Sequence, residues 1–401
     1  MSAPDRIVFL TTDFRPQVGG VADYLHRLAE SLADRTRVTV MTSVARMDAT
    51  WEHAYALEPL PPLPDRQLHH RVGDAFAPIR KLHTGAFYLA LRRYADDTIA
   101  RVAPRRGEKI AIFIGIWDTA AHFWCAAARD AGIPYCLFAY GVELLIPLSG
   151  RLPDWRREDF EQASRVIGCS RATAALAVER LRLSSAPAVV NPPVGPLPPA
   201  TEIEAHATAL RQRLQLADGP VLLSVGRLVA RKGFDFVLRS VADLRHEFPK
   251  LMYLLIGDGP ERAHLHALLR DLDLAEHVRF LGAVDEATKW AAYDVCDLFV
   301  MPNRVLGDVD FEGFGIVFLE AALSGRPAIG GRTGGAVDAI ADEVTGLLID
   351  PEDQGALTQA IRRVLTDEPL RRRLGRAGAD AARTCSAHAA ADRLRMQLGW
   401  S

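Results

Sequence analysis

The stretch LFVMPNRVLGDVDFEGFGIVFLEAALSGRPAIGG, residues 298–331, contains two short apolar runs separated by a loop and a helical segment. The first run, 298–302, and the last, 326–331, have the length and composition of buried strands. Between them, the spacing of apolar residues predicts a helix that begins near Ile316 and stops at Gly325. A strand, a helix and a second strand in this order indicate a parallel, doubly wound sheet.

The same alternation of strand and helix extends along most of the chain. Further strand-like runs lie at 6–10, 37–42, 110–116, 135–139, 165–169, 221–227, 251–257 and 278–282. The stretch 186–200 interrupts the series with six prolines, which indicates a semi-rigid connector. Because 401 residues exceed one ordinary core, we predict two Rossmann-like, doubly wound α/β domains facing each other across a cleft.

Composition narrows the classes of function. The formal net charge of −2 gives no whole-molecule case for a nucleic-acid partner. Five scattered cysteines without C-x-x-C spacing predict reduced thiols, with neither a zinc site nor a disulfide framework. The first residues do not have the pattern of a signal peptide, and no run approaches the roughly 20 apolar residues of a membrane span. We therefore expect a cytoplasmic protein, whose oligomeric state the sequence does not set.

Two glutamates flank the predicted helix start in 298–331. On one straight helix Glu312 and Glu320 would be rotated by about 80° and displaced by about 12 Å. The glycines Gly313 and Gly315 instead predict that Glu312 lies in a loop and that Glu320 lies about one turn inside the helix. A helix start opened by glycine suits an anion, and the two carboxylates suit hydroxyl groups on either side of it. A surface loop with a chance pair of glutamates is the alternative.

Glycines also follow other predicted strands. Gly226 and Arg227 leave one strand, and Lys232 follows in the same loop, so that two cations could meet a diphosphate. Gly19 and Gly20 lie between a strand and a helix, where backbone N–H groups can meet phosphate, and 256–260 repeats the pattern. None of these loops is G-x-G-x-x-G, which argues against a nicotinamide cofactor. A solvated basic loop is the alternative for 226–233.

Taken together, these stretches resemble the retaining GT-B glycosyltransferases of glycosyltransferase family 4. The motifs are PQVGGVADY, VGRLVARKG, GDGPE, EGFGIVFLEA, GRTGGAVDAI and TGLLIDP, dense over 221–351 and thinner before it. They look most like phosphatidylinositol mannosyltransferases and related bacterial sugar transferases. The resemblance implies an acceptor-binding domain at 1–190, a linker at 191–200 and a nucleotide-sugar-binding domain at 201–385, with the helix at 386–401 packing back on the first domain.

The resemblance also implies roles for individual residues. Arg227 and Lys232 would neutralise the departing diphosphate, Glu320 would hold the ribose hydroxyls, and Glu312 would face the transferred sugar. The donor would further meet the main chain of Phe314, Gly315, Ile316, Leu281 and Gly282, with Gly226 at the strand end and Gly19 and Gly20 on the other domain. Such enzymes need no metal or other cofactor, because the cations stabilise the leaving group.

One position departs from the family pattern. Members commonly carry a histidine in an HG element near the donor sugar, whereas this chain has Tyr140 before Gly141. Tyrosine donates one hydrogen bond but lacks the charge of histidine near neutral pH. Tyr140 is therefore either a catalytic-site residue or a packed aromatic at a strand end. Tyr24, Asp118 and Glu143 are expected on the acceptor side, and helix packing is the alternative for His122.

Three further features carry weaker indications. The stretch 66–94 mixes basic, histidine and aromatic residues, which suits either an anionic membrane surface or an ordinary amphipathic helix. The pair His69-His70 does not have a metal-binding spacing. The sequence DVD at 308–310 imitates a D-x-D metal motif, but a polar loop explains it better.

The resulting prediction is a retaining, metal-independent hexosyltransferase. It would move a sugar from a nucleotide-diphosphate donor, GDP-mannose or a UDP-sugar, to a hydroxyl acceptor on a glycan, a lipid or a small molecule. Two alternatives stay open: a GT-B-fold nucleotide-sugar epimerase, which would act on the donor alone, and a non-catalytic nucleotide-sugar binder. A nicotinamide oxidoreductase is the weakest alternative.

Overall fold

The computed structural model describes residues 3–15, 19–42, 53–61, 77–145, 152–307 and 310–400. The chain divides into two compact units. The first comprises Met1–Asn191 with Ala387–Ser401, and the second comprises Pro192–Ser386. Asp308 of the DVD stretch, the pair His69-His70 and the first part of 66–94 lie outside the described residues.

The first unit is built on a parallel sheet. Its strands are β1 (Arg6–Thr11), β2 (Arg37–Thr42), β3 (Ala56–Pro59), β4 (Ile110–Ile114), β5 (Tyr135–Ala139), β6 (Arg165–Gly168) and β7 (Ala188–Val189). Its helices are α1 (Gly20–Ala33), α2 (Ala77–Val102), α3 (Thr119–Asp130), α4 (Val142–Leu145), α5 (Leu152–Gln162) and α6 (Arg171–Leu181). The described strands are ordered β3-β2-β1-β4-β5-β6-β7, and all neighbours are parallel.

Continuous burial explains the central strands of this sheet. Both β4 and β5 are buried over their whole length, as expected where helices cover both faces of a parallel sheet. The last helix of the chain, Ala387–Gln397, belongs to this unit. Arg395 donates to the Thr36 hydroxyl at 3.0 Å, and the ring of Trp400 stacks on that of Phe113 with centroids 5.8 Å apart.

The second unit repeats the plan. Its strands are β8 (Val221–Val225), β9 (Met252–Ile256), β10 (Val278–Gly282), β11 (Leu298–Met301), β12 (Ala328–Gly331) and β13 (Gly346–Ile349). Its helices are α7 (Ala200–Leu214), α8 (Phe234–Leu244), α9 (Arg262–Asp271), α10 (Glu286–Val295), α11 (Ile316–Leu323), α12 (Ala336–Ala339), α13 (Gln354–Thr366) and α14 (Glu368–Arg383), and the Ala387–Gln397 helix is α15. The described strands are ordered β10-β9-β8-β11-β12-β13, again with parallel neighbours.

Each sheet has one point where the strand order reverses. In the first unit β1 lies between β2 and β4, and in the second β8 lies between β9 and β11. Such a reversal leaves a crevice at the carboxyl ends of the central strands, which is where open α/β sheets bind ligands. The predicted doubly wound α/β architecture is confirmed.

Strands β3, β7 and β13 are absent from the sequence prediction, and each of them lies at the edge of its sheet. Strand β3 lies at the edge of its sheet, is largely exposed and ends in Pro59. Strand β7 has two residues and lies inside the proline-rich stretch, directly after Pro187. Edge strands tolerate proline and exposed polar side chains, so neither β3 nor β7 shows the apolar pattern by which the central strands were found.

Candidate functional site

The reversal in the second sheet brings two of the predicted loops together. Strand β8 continues through Gly226 into a short 3-10 helix, Ala230–Lys232, while β11 continues into the loop that carries Glu312. Since β8 and β11 are paired neighbours, the two loops leave the same edge of the sheet side by side. The carboxyl edge of β8 and β11 is therefore the candidate site in this unit.

Lys232 and Glu312 form a buried ion pair at this edge. The Lys232 Nζ and Glu312 Oε2 atoms lie 2.6 Å apart, and the two residues are 7% and 8% exposed. Arg231 Nη1 approaches the same carboxylate oxygen at 3.7 Å, while Arg231 Nε lies 2.8 Å from Asp310 Oδ1. The four side chains together have no net charge.

The pKa values of this pair follow from burial and from the neighbouring charges. Burial lowers the pKa of Lys232 from its usual value, and the Glu312 charge opposes this effect. Burial alone would raise the pKa of Glu312, but the Lys232 and Arg231 cations lower it below its usual range. Glu312 is consequently ionised at neutral pH.

The two cations predicted for a diphosphate occupy different environments. Arg227 is exposed and has no ion pair among the residues that the structure describes. Gly226, with φ +155°, lies against the Lys232 side chain, and a Cβ at this position would be 3.5 Å from Lys232 Cε. The geometry thus supplies one accessible charge and one that an acid already neutralises.

The start of helix α11 has the properties predicted from the sequence. Gly315 precedes it with φ +84°, and no side chain caps the first backbone N–H groups. A Cβ on Gly315 would come within 2.7 Å of the Phe318 ring, so the position requires glycine. The Phe314 side chain is buried, which leaves its main chain and that of Ile316 to line the edge. Uncapped N–H groups at a helix start favour an anion.

Glu320 lies in the second turn of α11 and is held by two donors. Lys289 Nζ lies 2.9 Å from Glu320 Oε1, and the Tyr293 hydroxyl donates to Glu320 Oε2 at 2.9 Å. Lys289 also pairs with Glu286 at 2.8 Å. Burial alone would lower the pKa of Lys289, but the Glu320 and Glu286 carboxylates raise it above its usual value. Glu320 itself is only 4% exposed.

The residues predicted to meet a base lie at the free edge of the sheet. The pairing of β10 with β9 passes from Phe280 to Gly282 and skips Leu281, as in a β-bulge. Gly282 accepts a hydrogen bond from the Gly257 N–H at 2.8 Å, and its own φ is +68°. The main chain of Leu281 is thereby left out of the ladder, where it can bind a ligand.

In the first unit, the predicted phosphate-binding glycines are open. Gly19 is extended and Gly20 is the first residue of α1, and a Cβ at either position would meet no atom within 4 Å. Tyr24, four residues later, is fully buried, and its hydroxyl donates to the Val190 carbonyl at 2.7 Å. Tyr24 therefore ties α1 to the end of β7, and its hydroxyl faces the protein interior.

Tyr140 and Glu143 form a tight turn after β5. One Glu143 oxygen accepts the backbone N–H groups of Tyr140, at 2.5 Å, and Gly141, at 3.2 Å. The Tyr140 ring stacks on Phe138 with centroids 6.3 Å apart, and its hydroxyl is buried. Burial raises the pKa of Glu143, an effect that these backbone hydrogen bonds oppose. The Tyr140 ring therefore packs against aromatic neighbours of the first unit.

Asp118 and His122 also have partners within the protein. Asp118 caps α3 by accepting the Ala121 N–H at 2.8 Å, and burial raises its pKa. His122 Nδ1 lies 2.8 Å from the fully buried Asp159, and its ring stacks on Trp155. Both arrangements orient helices at the carboxyl edge of the first sheet.

Four residues at the second-unit edge went unpredicted. Arg231, Asp310, Lys289 and Tyr293 all contact one of the two motif glutamates or their partners. A signal did exist for Lys289 and Tyr293, since residues four apart on a helix share a face. That this face points toward Glu320 depends on the packing of α10 against the sheet, which no local pattern contains.

Within the described ranges, no group of three or more His, Cys, Asp or Glu residues could hold a metal ion. No helix in the same ranges combines the length and apolar character needed to cross a bilayer. Arg92, at the end of the stretch predicted to contact a membrane, pairs with Asp96 and Asp130 at 2.9 and 2.6 Å.

Comparison with known proteins finds sequence similarity that includes most of the second unit. Residues 207–381 match the model of the family described as glycosyl transferases group 1. A GDP-mannose-dependent alpha-(1-6)-phosphatidylinositol monomannoside mannosyltransferase from Mycobacterium tuberculosis is 28% identical over 392 residues, 93% of this chain and 92% of that protein. The protein of the same name from Mycolicibacterium smegmatis is 36% identical over 189 residues, which span 45% of this chain and 50% of the relative.

Solved structures extend the likeness to both units. HepE of Anabaena, determined in complex with UDP, superposes with a TM-score of 0.73 at 20% sequence identity, covering 98% of this chain and 99% of its own. At this level of identity the comparison concerns the fold. Residues 207–381 thus resemble the glycosyl transferases group 1 family, and the chain as a whole has the GT-B fold.

Proposed function

We propose that the protein is a retaining hexosyltransferase that uses a nucleotide-diphosphate sugar and needs no metal. The observation that carries the proposal is the edge of β8 and β11, where Arg227, Lys232 and the uncapped start of α11 adjoin two buried carboxylates. Cations and free N–H groups suit a diphosphate, and carboxylates suit hydroxyls. The match of residues 207–381 to the model of the glycosyl transferases group 1 family supports the same activity.

The two carboxylates contact different parts of the donor. Glu320 accepts hydroxyls of the ribose, Glu312 faces hydroxyls of the transferred sugar, and the main chain at Leu281 meets the base. The diphosphate lies between them, against Arg227, Lys232 and the main chain at Gly315. This assignment rests on the order of these groups along the edge of one sheet.

The chemistry follows from the charge that develops during transfer. The bond between the anomeric carbon and the diphosphate oxygen breaks while the acceptor oxygen bonds to the same face of that carbon. The acceptor proton passes to the departing phosphate oxygen, so that no group is left over. Positive charge fixed at Arg227 and Lys232 stabilises the leaving group in the transition state, which lowers the barrier.

GDP-mannose is the favoured donor, because full-length relatives carry GDP-mannose-dependent names. A UDP-sugar is the second candidate, since the structural neighbour HepE was determined with UDP. The acceptor is a hydroxyl compound bound by the first unit. A contact of 66–94 with a membrane surface and a cytoplasmic location stay predictions.

The first test is a thermal-shift screen with GDP-, UDP-, ADP- and dTDP-sugars. A nucleotide sugar at about 100 times its dissociation constant adds about 2.7 kcal/mol to the free energy of unfolding. We expect GDP-mannose to give the largest shift. The best donor is then incubated with and without a lipid or glycan acceptor. Transfer with retained anomeric configuration supports the proposal, epimerised donor without acceptor supports an epimerase, and no stabilisation by any of the four contradicts it.

A further inference from the structure

We propose that Lys289 and Tyr293 are positioning residues that orient Glu320 toward a ribose diol and thereby set a preference for ribonucleotide over deoxyribonucleotide donors. The inference rests on the proposed function, since it takes a nucleotide as the ligand. It concerns two residues that lie outside every sequence motif considered above and that act through Glu320.

Two hydrogen bonds fix the orientation of the Glu320 carboxylate. Lys289 and Tyr293 lie four positions apart on α10, so their side chains project from one face of the helix. Lys289 donates to Glu320 Oε1 and Tyr293 to Oε2, each at 2.9 Å. Because each oxygen has its own donor, the carboxylate cannot rotate without breaking one of the two bonds.

The same contacts give the buried carboxylate a partner of opposite charge. Glu320 is 4% exposed, and a buried carboxylate without a partner would be strongly destabilised. Lys289 supplies the opposite charge and is itself held by Glu286 at 2.8 Å. The side chain of Lys289 is 17% exposed, so the ion pair is only weakly screened by water.

The remaining acceptor positions match a vicinal diol. An ionised carboxylate offers about four lone-pair positions, of which Lys289 and Tyr293 use one on each oxygen. One further position per oxygen is left, and the 2′- and 3′-hydroxyls of ribose supply two donors at matching separation. A 2′-deoxyribose fills only one of these positions, so it loses one hydrogen bond to a charged group.

The test is a comparison of ligands in matched variants. Isothermal titration measures the affinity for GDP and 2′-deoxy-GDP, with UDP and 2′-deoxy-UDP in parallel. We expect the unmodified protein to prefer the ribonucleotide by about tenfold or more, the worth of a hydrogen bond to a charged group. Lys289→Met should bring this ratio close to one, and Lys289→Arg should retain most of it.

Two further variants keep the test decisive. Tyr293→Phe removes one donor with little change in shape and should also reduce the ratio, even if Lys289→Met fails to fold. Lys250→Met replaces an exposed lysine of the same unit and should leave the ratio unchanged. An unchanged ratio in both Tyr293→Phe and Lys289→Met, or an unmodified protein without ribose preference, overturns the inference. Absence of any nucleotide binding contradicts the proposed function instead.

Discussion

At the scale of the residue, Lys232 and Glu312 neutralise each other across 2.6 Å. A diphosphate that binds Lys232 has to compete with this carboxylate. This competition links two contacts of the donor. A Glu312 carboxylate that no longer pairs with Lys232 is free to accept hydrogen bonds from the hydroxyls of the transferred sugar. Binding of the two parts of the donor would then be coupled through a single exchange of partners.

This coupling predicts opposite effects of one substitution on binding and on turnover. Glu312→Gln removes the competing charge, so GDP should bind about tenfold more tightly, an effect of the size of one charged hydrogen bond. Transfer from the nucleotide sugar should slow, because the amide holds the sugar hydroxyls less strongly. Titration calorimetry with GDP and steady-state kinetics with the donor measure the two quantities.

A matched control is Glu247→Gln, which removes an exposed carboxylate paired with Arg362 at 2.7 Å in the same unit. This variant should change neither GDP affinity nor turnover. Weaker GDP binding in Glu312→Gln would contradict the proposed competition and indicate that Glu312 serves only to hold the loop.

The residues of this edge were only partly predictable. Glu312, Glu320, Arg227 and Lys232 follow from glycine-flanked motifs, whose residue types alone indicate phosphate and hydroxyl chemistry. Their partners do not follow, because Lys289 reaches Glu320 across 31 positions of sequence. Which acid neutralises which cation is set by the packing of helices on the sheet.

At the scale of the element, the start of helix α11 depends on glycine for two separate reasons. Gly315 has φ +84°, and its hydrogen faces the Phe318 ring, which a Cβ would approach to 2.7 Å. Gly325, after the end of the same helix, has φ +72°, but a Cβ there would meet no atom within 4 Å. The two glycines thus share the backbone requirement and differ in the steric one.

Alanine variants of Gly315 and Gly325 separate the cost of the backbone conformation from the cost of the steric contact. Gly325→Ala should lower the free energy of unfolding by about 1–2 kcal/mol, the cost of a left-handed conformation for alanine. Gly315→Ala should cost about 1–3 kcal/mol more, because the Phe318 ring must also move. Urea unfolding of both variants gives the difference. Equal losses in the two variants would show that the ring yields without cost.

The elements themselves were largely predictable from the sequence. Parallel strands buried on both faces appear as apolar runs, and α11 begins at Ile316, as its spacing and preceding glycine predict. The exceptions, β3, β7 and β13, lie at the edges of their sheets. Their pairing depends on the neighbouring strand more than on their own composition.

At the scale of the whole molecule, a buried histidine predicts sensitivity to acid. His26 is 9% exposed, and its Nδ1 lies 2.9 Å from the Tyr55 hydroxyl. Burial first, and then the charges of Arg15, Arg27 and His53, lower its pKa from 6.5 to about 4 against the opposing effect of Asp23. The folded protein therefore favours neutral His26, and stability that is present above pH 6.5 is lost as the pH falls toward 4.

The expected loss is about 3 kcal/mol between pH 7 and pH 4. It is measured as the free energy of unfolding of the unmodified protein minus that of His26→Gln, determined by urea unfolding of the first unit at each pH. Groups that titrate in both proteins cancel in this difference. A difference that stays constant over this range would contradict a depressed pKa at His26.

The ion pair of Lys232 and Glu312 also affects how the whole protein responds to inorganic anions in solution. Lys232 is already paired with Glu312, so phosphate, sulfate or chloride can bind it only by displacing that carboxylate. None of these ions supplies a group that would replace the ion pair lost by Glu312. A sugar nucleotide brings hydroxyls that compensate the displaced acid. Millimolar inorganic salts should therefore inhibit the proposed sugar transfer only weakly, even though the proposed donor is itself an anion.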